Sequence, residues 1–304
     1  MPELSEARRR APWKTGLGQL RQYPPAPLAL AQVVETLPMP AGPTISICTP
    51  SFNQAEFLDS TIDSVMSQGY PALDYWVQDG ASTDDTQGVL SRWGTKGLRY
   101  ESVPDDGQAD AINRGFARLS GDIMAWLNSD DLLLPGSLAS VARVFLENPD
   151  VDVVYGHRIL IDGAGHDIGR WILPKHEGDV LSWADYIPQE TMFWRRELWD
   201  AVGGQLDTTF QFALDWDLIL RFRDAGAKFH RIPRFLGAFR IHEEQKTSAE
   251  MESLGAKEMA LLRQRATGRA VSQAEASSQV KSYLARATAY SAMWKVGLVD
   301  YGNL

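Results

Sequence analysis

The sequence predicts an α/β fold: a Rossmann-like, mostly parallel central sheet with flanking helices, followed by a C-terminal helical extension. Three observations predict it. Between residues 44 and 131, short apolar runs alternate with segments of helical spacing, which is typical of parallel βαβ units. Polar residues directly follow each of the four strands predicted there. Beyond about residue 248 the strand pattern stops and the remaining periodicity is helical.

The first half of this region contains four predicted strands and three predicted helices. The run TISICT at 44–49 is short, apolar and rich in β-branched residues, as a buried strand should be. The segment that follows has its apolar residues at helical spacing, and Thr83 or Asp84 is placed to cap the next helix. The other strands are predicted at 73–79, 98–103 and 123–127, and the helices at 55–68, about 84–93 and 110–119.

The second half has a looser pattern. A helix is predicted at 133–147, followed by two short strands that a turn separates and by a turn at 163–169. Residues 170–190 look irregular. The two short strands are predicted at 151–156 and 158–163, later strands at 191–194, 228–233 and 237–242, helices at 196–202 and 215–225, and two or more helices at 248–294, divided near 266–272.

Composition narrows the class of protein. Hydrophobic residues make up 44% of the 304 residues and charged residues 23%, which fits a soluble globular protein. The formal net charge of −9 argues against binding nucleic acid, which requires a basic surface. Cys48 is the single cysteine, so a disulfide within the chain and a cysteine zinc site are excluded, and a reducing, cytoplasmic compartment is expected. The charged start MPELSEARRR does not resemble a signal peptide, and no apolar run has membrane-spanning length.

Acidic residues are concentrated where predicted strands end. The polar stretches that follow the four strands are 51–53, 79–80, 105–107 and 128–131. The carboxyl ends of parallel strands share one edge of a sheet, so these stretches are expected to lie close together. Asp130 and Asp131 are adjacent there, so their charges repel each other, and burying either one unpaired costs free energy. A hard divalent cation such as Mg²⁺ or Mn²⁺, bound together with a substrate diphosphate, offsets that repulsion. The alternative is that one Asp caps the next helix, which explains one Asp better than two.

Six segments, in order, resemble family 2 glycosyltransferases. They are ISICTPSFNQAEFLDSTIDSVMSQ, VQDGASTDDT, GQADAINRGF, WLNSDD, LDWDLILRF and FRIH, and the resemblance covers about residues 44–245. One Asp pair alone would be weak evidence for the family, because Asp pairs are common at turns. Six segments in the same order, at matching strand ends, are specific evidence. The resemblance implies a GT-A fold, a nucleotide-sugar donor, a divalent cation (Mn²⁺ or Mg²⁺) and inversion at the anomeric carbon.

The resemblance also implies which residues bind the donor. Phe52 is expected against the face of the base, unless it is an ordinary hydrophobe at a helix entry. Asp79 matches the family's base-binding Asp, and the alternative is a turn residue before Gly80. Lys246 is expected on a phosphate, unless it is simply solvated. The full donor set is Pro50, Ser51, Phe52, Asn53, Asp79, Gln108, Asn113, Asn128, Asp130 and Lys246.

For the cation, the resemblance implies Asp130, Asp131 and His242, and leaves open which Asp is the direct ligand. Many family members carry Asp where this chain has Asn128. A neutral amide removes one negative charge and binds a metal less strongly, so Asn128 is expected to hydrogen-bond the ribose or neighbouring loops. A weak or absent metal requirement is therefore an open alternative.

The general base implied by the resemblance is Asp215, which would take the proton from the acceptor hydroxyl. Its alternative role is to stabilise the start of a helix through the macrodipole. Candidate acceptor-facing residues are Trp183, Gln189, Glu190 and Asp217, although a Trp is more often a core residue and Asp217 is also a candidate for a structural role.

These inferences together predict an inverting glycosyltransferase that moves a sugar to an acceptor hydroxyl on a glycan or a lipid-linked saccharide. We expect an N-terminal arm or linker at 1–43, a catalytic domain at 44–245 whose halves, 44–131 and 132–245, bind donor and acceptor, and a helical extension at 246–304. Many relatives in the family build polysaccharides on lipid carriers, so peripheral association with the inner face of a membrane is compatible with the resemblance. Pairing of subunits through the C-terminal helices is a second possibility. The alternatives are a non-catalytic nucleotide-sugar-binding protein and a metal-dependent nucleotidyltransferase. The second is disfavoured because PSFNQ is not a Gly-rich phosphate loop.

Overall fold

The structure is a computed structural model that describes residues 19–28, 42–242 and 254–299. Its centre is a single nine-stranded sheet with the strand order β3-β2-β1-β4-β8-β6-β9-β5, and β7 pairs with β6 beside this path. The strands are β1 Ile45–Ser51, β2 Leu73–Asp79, β3 Arg99–Ser102, β4 Ile123–Trp126, β5 Leu132–Leu133, β6 Val153–Asp162, β7 Asp167–Trp171, β8 Phe193–Arg195 and β9 Phe229–Ile241.

The first four strands are parallel, as the βαβ pattern predicts. β1 pairs with β2 and with β4, and β2 pairs with β3. Helices α1, α2 and α3 make the crossovers between them, and α4 follows β5. The helices are α1 Ala55–Met66, α2 Thr86–Gly94, α3 Gln108–Phe116, α4 Ser137–Glu147, α5 Arg196–Ala201, α6 Leu214–Asp224, α7 Ala256–Thr267, α8 Gln273–Gln279 and α9 Lys281–Lys295.

Two pairs of predicted short strands are in fact two long strands. The prediction of a turn near residue 156 is wrong, because β6 runs without interruption, and β9 likewise includes both of its predicted parts. A glycine lies at an end of one predicted strand in each pair, and both glycines are sites of close packing. A Cβ on Gly156 would lie 2.7 Å from the carbonyl oxygen of Arg234, and one on Gly237 would lie 2.7 Å from Cγ of Glu190. Glycine inside a strand often marks this kind of approach.

Two further predictions are corrected by local pairing. Residues 167–171 were expected to be a turn and an irregular segment, but they form β7, antiparallel to β6. The helix expected from residue 133 begins at Ser137, because Leu132 and Leu133 pair with β9 instead. The β5 pairing has no local signal, since its partner β9 is distant in the chain. β7 instead forms a hairpin with β6, so the predicted turn is shorter than expected and residues 167–171 belong to a strand.

Both ends of the described chain pack onto the second half of the sheet. Residues 19–28 lie along the outer edge of β7, where Ala26 exchanges two backbone hydrogen bonds with Asp167 (2.8 and 3.1 Å). At the other end, α7–α9 form the predicted helical extension, and Trp294 of α9 is buried against Phe235 of β9. Within the described residues, no helix is both long enough and apolar enough to cross a membrane.

Candidate active site

The carboxyl ends of the first strands form one end of a cavity of about 560 Å³. Phe52, just past β1, is 60% exposed, whereas Asp79 at the end of β2 is buried. The Asp79 carboxylate accepts hydrogen bonds from the backbone N–H of Ser82 (3.0 Å), from the Ser82 hydroxyl (2.5 Å) and from the Ser102 hydroxyl (2.6 Å). Asp79 does not itself line the cavity; it ties the ends of β2 and β3 together beside Gly80, which lies at the rim.

Asn53 holds the same rim from the side of β1. Its φ of +52° lies in the left-handed region, which Asn tolerates better than most residues. Its backbone N–H donates to the Ser82 hydroxyl (2.7 Å), and its side-chain oxygen accepts from the backbone N–H of Thr83 (2.8 Å). Asn53 thus positions the loop that carries Phe52, and these bonds already engage its side-chain oxygen.

The acidic loop at 128–131 is fixed from two sides. The Thr61 hydroxyl, on α1, contacts the carbonyl oxygens of Ser129 (2.8 Å) and Asp131 (2.9 Å). Arg240, on β9, donates its backbone N–H to Oδ1 of Asp131 (2.9 Å) and its Nε–H to the carbonyl oxygen of Asp130 (2.7 Å). These contacts fix the backbone of the loop and the carboxylate of Asp131.

His242 lies directly beside the acidic loop. Its Nε2 is 3.1 Å from Oδ2 of Asp130, and its ring packs 4.6 Å from that of Phe57, centroid to centroid. Burial, followed by repulsion from Asp130 and Glu190, raises the pKa of Asp131 well above its ordinary range.

The donor set fits a hard divalent cation. One carboxylate oxygen and one imidazole nitrogen face each other at Asp130 and His242. Among the described residues, no group of three or more His, Cys, Asp or Glu side chains is assembled as a metal cage. Mg²⁺ and Mn²⁺ sites with one or two protein ligands are typically completed by substrate phosphates and water. Two protein ligands at Asp130 and His242 would leave the other positions of such an ion to phosphates and water.

Asn128 belongs to a chain of amides across the cavity floor. Its Oδ1 accepts from Nε2 of Gln108 (2.8 Å), and its Nδ2 donates to Oε1 of Gln189 (3.4 Å). Gln189 in turn donates to the carbonyl oxygen of Trp126 (2.8 Å). A carboxylate at residue 128 could not donate to Gln189, so the amide completes this chain.

Three further acidic residues line the far end of the cavity. Burial raises the pKa of Asp215 to about 6, and its Oδ1 accepts the backbone N–H of Trp216 (2.9 Å). Burial and repulsion from Asp215 raise the pKa of Asp185 well above its ordinary range. Both carboxyl groups therefore hold a proton more tightly than an ordinary Asp, and with a pKa of about 6 Asp215 is mostly ionised at pH 7.

Glu190 is held by Arg158, a residue that sequence reasoning missed. Nε of Arg158 donates to Oε1 of Glu190 (2.8 Å), and its NH2 group donates to Oε2. The guanidinium carbon lies 4.8 Å from the ring centre of Trp171 and 4.4 Å from that of Phe239, two further cavity residues. Glu190 thus forms a buried ion pair with Arg158, and the guanidinium of Arg158 packs on Trp171 and Phe239, which together form the aromatic wall of the cavity.

Some predicted site residues lie elsewhere. Both ends of the Asn113 amide bond the backbone of Leu206, and neither Asn113 nor Trp183 lines the cavity. Asp217 points to Arg221, whose Nε donates to it (2.8 Å). Lys246 lies outside the described residues. The predicted residues that line the cavity are Pro50, Ser51, Phe52, Gln108, Asn128, Asp130, Asp131, Gln189, Glu190 and Asp215.

The order of the strands in this sheet and the helices between them give the chain the GT-A fold, which solved glycosyltransferase structures share. The chain belongs to glycosyl transferase family 2: the model of that family matches residues 46–206, just over half of the chain. Asp215 and His242 lie beyond the matched segment.

Curated relatives support the same family. The O-antigen biosynthesis protein RfbC of Myxococcus xanthus is 32% identical over 195 residues, which are 62% of this chain and 15% of RfbC. An uncharacterised glycosyltransferase of Mycobacterium tuberculosis is 32% identical over 187 residues, 60% of this chain and 70% of the relative. This chain therefore spans only a small part of the first relative and about two thirds of the second.

Solved structures share the fold. TarS of S. aureus (residues 1–349), in complex with UDP-GlcNAc, superposes with a TM-score of 0.60 at 16% identity, covering 80% of this chain and 72% of that one. The mannosyltransferase PcManGT of Pyrobaculum calidifontis, in complex with GDP-Man and Mn²⁺, gives 0.59 at 18% identity, covering 96% and 78%.

Proposed function

We propose that this glycosyltransferase moves a sugar, with inversion, from a nucleoside diphosphate sugar to a hydroxyl of a glycan or a lipid-linked saccharide, assisted by Mn²⁺ or Mg²⁺. One observation carries the proposal. A single cavity joins the exposed ring of Phe52, the acidic loop at Asp130 and the carboxylate of Asp215. Phe52 would contact the nucleobase, the acidic loop would lie at the diphosphate, and Asp215 would be the general base that takes the acceptor's proton.

The charge of the cavity supports a cation at the diphosphate. Six acids line it, and among the described lining residues Arg158 is the one cation, already paired with Glu190. A diphosphate would be repelled by such a surface without a divalent ion. Asp130 and His242 would hold the ion, and Asp131 would support it from the buried side. When bound, the ion would stabilise negative charge on the departing nucleoside diphosphate.

Asp215 would remove the proton from the acceptor hydroxyl. Ionised at neutral pH, it accepts the proton of the acceptor hydroxyl as that oxygen attacks the anomeric carbon. The bond from that carbon to the diphosphate oxygen breaks, and the electron pair leaves with the nucleoside diphosphate. One displacement from the face opposite the leaving group inverts the anomeric centre.

The two halves of the domain are proposed to divide the substrates. Phe52 and Asp105 come from residues 44–131 and place the donor at one end, while Trp171 and Asp185 come from residues 132–245 and place the acceptor at the other. The names of two relatives, for O-antigen and PGL/p-HBAD biosynthesis, support an acceptor built on a lipid or polysaccharide, and with it work at the cytoplasmic face of a membrane.

The test is a thermal-shift panel of nucleotide sugars with and without Mn²⁺, followed by product analysis. A donor at about 100 times its Kd should add about 2.7 kcal/mol to the free energy of unfolding, and it should do so only with the cation. Released nucleoside diphosphate supports sugar transfer. Release of pyrophosphate would instead indicate a nucleotidyltransferase, and binding without turnover a non-catalytic binding protein.

A further inference from the structure

The start of α6, the helix that carries Asp215, is held by a side chain from the C-terminal extension. Glu258 of α7 is buried, and its carboxylate accepts three backbone N–H groups in a row. Oε1 accepts from Gln211 (2.9 Å), and Oε2 accepts from Phe212 (2.9 Å) and Ala213 (2.8 Å). Hydrogen bonds to a charged acceptor are roughly twice as strong as neutral ones.

The three amides belong to the N-cap residue of α6, Ala213, and to the two residues before it, so Glu258 fixes the chain as it enters the helix. The residues that Glu258 binds also line the cavity, immediately before Asp215. Any movement of this loop therefore moves both the wall of the site and the carboxylate two residues further on.

The packing around Glu258 makes the contact specific to α7. A Cβ on Gly255 would lie 2.9 Å from Cδ1 of Phe212, so the start of α7 lies against the same loop. Further along α7, Arg263 donates to the carbonyl oxygen of Trp183 (2.8 Å), and its guanidinium lies 5.5 Å from the ring of Trp216, the neighbour of Asp215.

We propose that Glu258 is a positioning residue for the Asp215 base, so that docking of the C-terminal extension completes the active site. The proposal rests on the proposed role of Asp215. It assigns to the extension a part in the reaction itself, in addition to any part in stability or in recognition of the acceptor.

Glu258→Gln is the sharp test, because it keeps size but replaces one acceptor oxygen with a donor N–H₂ that faces backbone N–H groups. The matched control is Glu275→Gln, the same change within the extension, at an exposed ion pair with Arg269. Amide hydrogen exchange of residues 211–216 should accelerate at least tenfold in Glu258→Gln and stay unchanged in Glu275→Gln.

Turnover is measured with the nucleotide sugar that stabilises the protein most and with water as the acceptor. We expect Glu258→Gln to lower kcat at least tenfold with the donor KM within about twofold of the original. The acidic limb of the pH profile should move to lower pH, because a loosened loop exposes Asp215 to water. A role limited to stability would lower Tm without moving that limb.

Several results would overturn the proposal: unchanged exchange at 211–216, an unchanged pH limb, or equal effects of the two substitutions. If Glu258→Gln does not fold, Glu258→Asp, which keeps the charge but shortens its reach, should still show the loss of kcat at unchanged donor KM. If the unmodified protein turns over no nucleotide sugar, the proposed function fails, while hydrogen exchange still decides whether Glu258 holds the loop.

Discussion

The raised pKa of Asp215 gives a quantitative prediction for the pH dependence of transfer. A base works only when ionised, so activity should rise with pH through the pKa of Asp215 and level off above it. With a pKa of about 6, the carboxylate is roughly nine-tenths ionised at pH 7 and roughly one-tenth at pH 5. The value of kcat/KM should therefore fall about tenfold over this interval, whereas an Asp with an ordinary pKa would produce almost no change there.

The assay is initial-rate release of nucleoside diphosphate at saturating Mn²⁺, in buffers of constant ionic strength from pH 5 to pH 8. Asp215→Asn should lower kcat roughly 100- to 10,000-fold at pH 7 and give a rate that no longer varies with pH, while leaving the donor Kd unchanged. Asp217→Asn is the matched control, since it makes the same change two residues on, at a side chain that points to Arg221. It should keep both the rate, within about threefold, and the slope.

A flat profile between pH 5 and pH 7 in the unmodified protein would refute the reasoning, because it would mean that burial does not hold the proton on Asp215. Normal turnover by Asp215→Asn would refute the assignment of the base itself. A slope that persists in Asp215→Asn would assign the titration to another carboxyl group of the cavity.

Three further predictions concern the remaining parts of the cavity. Asp185→Asn imitates the protonated acid, so kcat at pH 7 should stay within about threefold, and a loss as large as that of Asp215→Asn would show that Asp185 acts as an anion. Asp130→Asn should abolish the Mn²⁺-dependent part of the thermal shift given by the donor, and an unchanged metal response, measured with and without a chelator, would move the ion away from this loop. Phe52→Ala should weaken donor binding by about 1–3 kcal/mol, or roughly 5- to 150-fold in Kd by calorimetry, with little change in Tm because the ring is 60% exposed; an unchanged Kd would remove stacking from the account.

The sequence predicted most of the first half of the fold because its signals are local. β1 and β4 are continuous buried runs, and buried parallel strands have this appearance. The polar residues after them follow from topology alone, which is why Asp130 and Asp131 were found at the cavity edge. The family to which the chain belongs, predicted from six ordered segments, is confirmed by the match over residues 46–206.

Long-range pairing explains what was missed. One predicted strand ended at Gly156 and another began at Gly237, yet both glycines lie inside long strands, at places where the neighbouring chain packs too closely for a side chain. Glu258 lies in a helix with no motif, and its partners are backbone amides about 45 residues away, so no pattern in the sequence pointed to it. Arg240 could have been predicted as a site residue, because it lies in the FRIH segment, two residues before His242.

Asn113 and Asp217 show a different limit. Each lies in a segment that resembles the family, but adjacent residues on a helix face different directions. Asn113 bonds Leu206 and Asp217 bonds Arg221, whereas Gln108 and Asp215, in the same helices, line the cavity. Composition and order place a segment at the site, and helical phase decides which of its side chains enter it.

The segment at 19–28 has a consequence for building hybrid enzymes. Its Gln19 carbonyl accepts the indole N–H of Trp171 (3.2 Å), and Gln22 exchanges two hydrogen bonds with the backbone of Arg170 (both 3.1 Å), so the aromatic wall leans on residues far outside the matched region. A domain exchange cut at residues 46 and 206 would transplant the acidic loop but leave behind Gln19 and Asp215. Moving the intact cavity between relatives therefore requires both flanks to be transferred with the family core, or a redesigned edge on β7 and a new anchor for the residues before α6.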